Sequence, residues 1–237
     1  MPRAMTSDTP PCDASPVLLL TRPEPASRRF AAEAAHLGLE TIIAPILRIA
    51  PVGHDGKLLA QARGLVFTSA HAVPAAGPGR GRPAICVGPA TAGAARAAGF
   101  EVTEGPGDAL RMLPLLAGLD EGWLHPHGAH VAKRLPVPGM VVYDQLPQPL
   151  NEPALKALAG RAPVILPLFS PRSARLLSLR AAEARAPLWL VPISPAAGAE
   201  WRAAQARLAV APTPDAAGIL RAISTLLDRA GSSQHSM

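Results

Sequence analysis

VFTSAHAV at residues 66–73, ICVGPATAGAARAAGFEV at 85–102 and EGPGDAL at 104–110 are answered, in the same order, by LFSPRSAR at 168–175, LVPISPAAGAEW at 190–201 and APTPDAAGIL at 211–220. Phe67 aligns with Phe169, Gly88-Pro89 with Ser194-Pro195 and Asp108 with Asp215, and the offset between the copies barely drifts. Each copy alternates short apolar runs, turns of small residues and Ala-rich helical stretches. Such a duplicated α/β passage predicts two similar lobes, each a parallel sheet with helices on its faces. Two units of this length are too few and too long for a solenoid.

Working outward, VLLL at residues 17–20 is wholly apolar, as a central parallel strand requires. In residues 24–37, Phe30, Ala34 and Leu37 share one helical face. Gly38 stands where a helix C-cap needs positive φ, and the next strand is expected at 41–45. The middle segment reads as strands at 64–67, 84–87, 100–103, 123–125 and 140–143, with helices ending at Ala98, at 110–116 and at Leu135. The third segment reads as strands at 164–169, 188–193 and 208–211, with helices from Arg172, from Pro195 to about Arg207, and over 214–229. The middle segment is complete in itself. The third lacks a final βαβ unit, and the N-terminal residues supply one. The expected fold is therefore α/β, two flavodoxin-like parallel-sheet lobes with a ligand cleft between them. Lobe 1 combines 15–47 with 150–231 and lobe 2 is 52–143. Two extended linkers, 48–51 and 144–149, join them. Residues 1–14 and 232–237 read as disordered ends.

Aromatic residues make up only 3% of the chain against 49% hydrophobic, so the core must be built from Ala, Leu, Val and Ile. No apolar run approaches the roughly 18 residues that span a bilayer, and no secretory h-region opens the chain. Cys12 and Cys86 show neither a disulfide framework nor metal-ligand spacing, which points to the cytosol. The net charge of +6 comes from 20 Arg and 3 Lys against 17 acidic residues. The arginines are scattered and not interleaved with aromatics, unlike a single-strand nucleic-acid binder, so an acidic small ligand fits better.

In open α/β sheets ligands bind beyond the carboxyl ends of strands. The turns there are 21–23, 68–69, 88–91, 126–128, 170–171 and 194–195. They offer Arg22, Thr68, Ser69, Gly88, Pro89, Ala90, Thr91, His127, Gly128, Ser170 and Ser194 at helix N-termini, whose first N–H groups suit carboxylates or phosphates. For any one hydroxyl a plain N-cap is the competing reading. Six matching turns tilt the set toward anion binding. No dinucleotide fingerprint, P-loop or nucleophile elbow occurs. His125 and His127 form an H-x-H without a third ligand, so no metal is expected. The only tyrosine, Tyr143, ends a strand. It reads equally as core packing or as a proton donor that keeps its proton near neutral pH.

LLTRPEPASRRFAAEAAHLGLE, APIL, VFTSAHAV, VGPATAGAARAAGF, VVYDQ, LFSPRSA and PTPDAAGIL, in this order and spacing, resemble the uroporphyrinogen-III synthase family over nearly all of residues 17–227. The resemblance implies a cofactor-free cytoplasmic monomer that takes hydroxymethylbilane, a linear tetrapyrrole bearing eight carboxylates. It binds neither nucleic acid nor membrane, and it makes transient contact with hydroxymethylbilane synthase. The implied reaction loses the hydroxyl as water, leaving an azafulvene. The far end of the chain then attacks ring D at its substituted carbon. The spiro intermediate fragments and recloses with ring D inverted. Carried over residue by residue, Tyr143 assists the leaving hydroxyl and Thr91 matches the threonine of the G-x-A-T-A turn. Thr68, Ser69 and Ser170 match carboxylate-binding turns. This chain departs from the family at His127-Gly128, where Arg-Gly is common, and at Ala196-Ala197, where a threonine-containing turn is usual. Its Gly/Pro-rich stretch after Pro74 also stands in place of a longer helix. A non-catalytic tetrapyrrole- or anion-binding module of the same fold is the alternative reading.

Overall fold

The computed structural model describes residues 15–131 and 134–232. The expectations for residues 1–14 and 233–237, and Cys12 with them, lie outside the described residues. Ser232 closes the last helix rather than opening a tail. The chain divides into two compact units: residues to Arg48 with those from Pro147 onward, and Ile49–Leu146.

Unit 1 is built from β1 (Val17–Leu20), α1 (Glu24–Ala34), β2 (Glu40–Ile43), α5 (Glu152–Ala159), β9 (Val164–Leu168), α6 (Pro171–Arg180), β10 (Leu188–Pro192), α7 (Pro195–Ala199), β11 (Arg207–Leu208) and α8 (Ala216–Ser232). Its sheet has the order β11-β10-β9-β1-β2, parallel throughout, with Val17 opposite both Glu40 and Val164. Alternate residues of the wholly apolar strands feed two cores. Leu19, Leu166, Leu168, Leu188 and Leu190 pack with α5, α6 and Trp201. Leu18, Leu20, Ile165, Trp189 and Val191 pack with Phe30 and Ala34 of α1 and Ile219, Ile223 and Leu226 of α8. This two-sided burial is why VLLL, VILPL and LWLVP carry no polar side chains. Gly38 has φ +65° and ends the 3-10 turn that extends α1.

Unit 2 holds β4 (Gly64–Phe67), β5 (Pro83–Cys86), α3 (Pro89–Ala97), β6 (Glu101–Glu104), α4 (Leu113–Leu116), β7 (Trp123–Gly128) and most of β8 (Gly139–Pro147), with α2 (Gly56–Gln61) and a 3-10 helix over Ala70–Ala76. The parallel order is β8-β7-β4-β5-β6. Replacing β4, β5, β6, β7 and β8 by β9, β10, β11, β1 and β2 converts it into the order of unit 1. The permuted repeat is thus present strand for strand. A further strand, β3 (Leu47–Pro51), lies outside β8. Val52 N–H donates to Val142 and Gln148 N–H to Ile46, so β3 and β8 run antiparallel. The chain passes between units within these two strands, where the sequence predicts extended linkers.

Three expected helices differ. None forms between Gly128 and Gly139 among the described residues. Pro136 and Pro138 lack N–H donors and push the residues before them out of the helical region, while Leu135 and Val137 pack on the sheet. α7 stops at Ala199 instead of reaching Arg207, because the backbone N–H groups of Arg202 and Ala203 both donate to the buried Ser178 hydroxyl, at 2.7 and 2.9 Å. The helix over 110–116 shortens to α4.

Candidate functional site

In unit 2 the candidate residues lie at the carboxyl ends of β4, β5 and β7, and Tyr143, expected at a strand end, lies midway along β8 opposite the last residue of β7. Thr68 directly follows β4, and its Oγ1 lies 2.9 Å from His125 Nε2. His125 is buried, and burial followed by the charge of His127 lowers its pKa to about 4. Its ring is therefore neutral near pH 7. Ser69 caps the 3-10 helix, its Oγ accepting from His71 N–H at 3.3 Å. The β5–α3 turn differs: Gly88 is the N-cap and α3 has no side-chain cap. The N–H groups of Ala90 and Thr91, the first after Pro89, are thus left for another acceptor. Ala90 is exposed and Thr91 buried. Gly105 N–H donates to Cys86 and Gly107 N–H to Val87, at 2.7 and 2.6 Å, folding the 105–107 loop over the end of β5. A Cβ on Gly88 would stand 3.0 Å from Gly107 Cα.

At β7 and β8 the register shifts: His127 pairs with Val141 but Gly128 with Tyr143, leaving Val142 as the extra residue of a bulge. A bulge re-aims the side chains beyond it. Val142 and Tyr143 consequently both join the core with Phe67 and Ala72. The Tyr143 ring lies directly over Gly128; a Cβ there would sit 2.7 Å from ring carbons and 2.9 Å from the phenol oxygen. The His71 ring meets Tyr143 at 5.9 Å between centroids and 66° between planes. His127 lies on the other face. Its Nδ1–H donates to the Gly128 carbonyl at 2.7 Å, leaving Nε2 toward Gly139, and its ring centroid is 4.9 Å from that of His125. With Arg134, Val137 and Val141 these two histidines line a cavity of about 520 Å³. The bulge therefore separates two candidates that neighbour each other in sequence pairing: Tyr143 with Gly128 on one face, His127 on the other.

In unit 1, the Arg22 guanidinium stacks 4.3 Å over the Phe169 ring, which meets Phe30 edge-on at 5.2 Å. Burial lowers the Arg22 pKa, and Arg29 adds to the shift; an arginine so placed remains a cation. Phe169 precedes Ser170, so Arg22 and the Ser170 turn come together. Ser170 Oγ accepts from Ser173 N–H at 3.1 Å and contacts Ser173 Oγ at 2.8 Å. Ser194 Oγ accepts from Ala197 N–H at 3.3 Å. The three serines thus all serve as N-caps, the simpler of the two readings open to them. Of the helices opened by the candidate turns, α1 and α3 have no side-chain cap; at α1 the Ala26 and Ser27 N–H groups already bond the Pro23 carbonyl, so α3 has more backbone donors to spare.

Residues 28–221, most of both units, match the family described as uroporphyrinogen-III synthase HemD. The chain belongs to the uroporphyrinogen-III synthase family. The fold agrees with that of the uroporphyrinogen-III synthetase of Helicobacter pylori 26695, at 15% identity and a TM-score of 0.60 over 90% of this chain and 99% of that one. A uroporphyrinogen III synthase from Thermus thermophilus matches at 18% identity and a TM-score of 0.38, over 89% and 99%. A mutant form of it matches at 18% and 0.47, over 91% and 100%. No curated protein sequence matches significantly.

For a synthase, whose substrate is a flexible polycarboxylate, the useful parts are donors and one acid at fixed positions rather than a nucleophile. Among the described residues no cluster of three His, Cys, Asp or Glu side chains could hold a metal, and no helix is long and apolar enough to cross a membrane. Sequence reasoning assigned nothing to His71, although it stands in the VFTSAHAV stretch. Its proximity to Tyr143 depends on the bulge, which leaves no mark in the sequence. Nor did it foresee that Thr68 would be tied to His125.

Proposed function

We propose that this chain converts hydroxymethylbilane into uroporphyrinogen III. The observation that carries the reading is the family match over residues 28–221, which takes in both units. The geometry supports specific roles. Tyr143 gives its proton to the departing hydroxyl, whose C–O bond breaks as the pyrrole nitrogen lends its electron pair. Water leaves, and the substituted carbon of ring D attacks the exocyclic methylene of the azafulvene; the spiro intermediate fragments and recloses with ring D inverted. The tyrosinate recovers its proton when the closed macrocycle regains aromatic pyrroles. The N–H groups of Ala90 and Thr91 at the uncapped α3, together with the Thr91 hydroxyl and with Gly88 and Pro89 shaping the turn, hold one carboxylate. Arg22 with the Ser170 turn holds another, and Thr68, Ser69, His127, Gly128 and Ser194 line the remaining contacts. Catalysis then rests on positioning and fixed dipoles.

Enzymatically generated hydroxymethylbilane, incubated with the purified protein, is expected to yield the type III isomer by chromatography. Formation of only the type I isomer of spontaneous closure would refute the reading and leave a binding module. Because that closure competes, direct handover from hydroxymethylbilane synthase to a cytoplasmic, monomeric acceptor is part of the proposal. Sedimentation of the two proteins, alone and mixed, checks it.

A further inference from the structure

We infer that His71 is a positioning residue for Tyr143, setting the plane of the phenol ring and hence the direction of its hydroxyl. The inference rests on Tyr143 acting on the leaving hydroxyl. Tyr143 is placed by the β8 bulge over Gly128, the last residue of β7, and its phenol oxygen lies close to that bare Cα. This is the carboxyl end of the sheet, where ligands of such folds bind. Gly128 faces the Cε2–Cζ–OH edge of the ring. The aromatic neighbour that can fix the tilt is His71, edge to face at 5.9 Å and 66°, within the range where aromatic pairs hold a preferred geometry.

His71 is itself held from both directions along the chain. Its N–H bonds to Ser69 Oγ, and the following Ala72 and Val73 are buried in the same core as Tyr143. A phenol acid works only if its proton points at the departing oxygen in the reactive geometry. A loosened ring would thus slow the chemical step more than it would weaken binding.

The experiment is a double-mutant cycle on turnover of hydroxymethylbilane to uroporphyrinogen III, with kcat, KM and melting temperature measured for each protein. His71→Ala should lower kcat roughly tenfold with KM little changed. His71→Phe, which keeps a ring edge at the same place, should recover most of that loss. In a Tyr143→Phe background, His71→Ala should cost nothing further. A purely structural role would lower the melting temperature and reduce turnover equally in both backgrounds, and that result overturns the inference. So does an unchanged kcat in His71→Ala. If Tyr143→Phe alone turns over normally, the Tyr143 assignment falls and this one with it, an outcome distinct from slow Tyr143→Phe with additive His71→Ala. Should His71→Ala fail to fold, His71→Leu, which fills the space without a ring, takes its place in the cycle.

Discussion

At the residue scale, Gly128 and Tyr143 form one unit. Tyr143→Phe keeps the ring over Gly128 and removes only the hydroxyl, so turnover should fall while the melting temperature holds. Unchanged turnover would remove Tyr143 from the mechanism. Gly128→Ala acts from below: the new Cβ meets the ring at 2.7 Å. Overpacking of this kind costs about 1–3 kcal/mol, and here the ring must tilt to relieve it. Slower turnover with lowered stability is expected, read by the same assay and by denaturant melts. His125 makes a pH prediction. Its folded pKa of about 4 lies below the ordinary 6.5, so between these values the unfolded chain binds more protons than the folded one. The stability from its burial is complete above about pH 6.5 and drains away as pH falls toward 4. Denaturation midpoints across that window should fall in the wild type and flatten in a His125→Gln variant.

At the element scale, the N-caps offer the sharpest contrast. Ser170→Ala removes the acceptor for Ser173 N–H at a ten-residue helix and should cost about 1 kcal/mol. Thr91→Ala touches no cap, since Gly88 supplies that position. It should leave stability nearly intact while weakening substrate binding; unchanged KM and kcat would make Thr91 a packing residue. These elements also show what the sequence carries. β1, β9 and β10 were readable because burial on both faces leaves no place for polar side chains. Gly38 was readable because only glycine adopts its φ cheaply. The end of α7 was not, because it depends on Ser178, more than twenty residues away in sequence. The β8 bulge was not, because a parallel register shift has no local signature. The candidate hydroxyls were visible as residues, but only contacts distinguish Ser69, Ser170 and Ser194, already engaged as caps, from the free donors at α3.

At the scale of the whole molecule, charge is unevenly shared. Unit 1 holds 15 of the 23 basic and 10 of the 17 acidic residues, a net of +5, against 8 and 7 in unit 2, a net of +1. A polyanionic substrate should therefore be drawn mainly by unit 1, through interactions that salt screens. KM for hydroxymethylbilane should rise with ionic strength while kcat changes little. A salt-independent KM would show that short-range contacts dominate.

The insertion of unit 2's sequence within that of unit 1 also orders events on the ribosome. β1 and β2 emerge first, yet the other neighbour of β1 begins at Val164, and the whole of unit 2 is synthesised in between. Unit 2 has all its strands by Pro147 and can close while unit 1 waits. Meanwhile VLLL, the most apolar stretch at the start of the chain, sits on an open sheet edge. That is the situation in which nascent chains stick to one another or recruit chaperones. β1, translated long before its partner β9, is among the last strands of its unit to be buried.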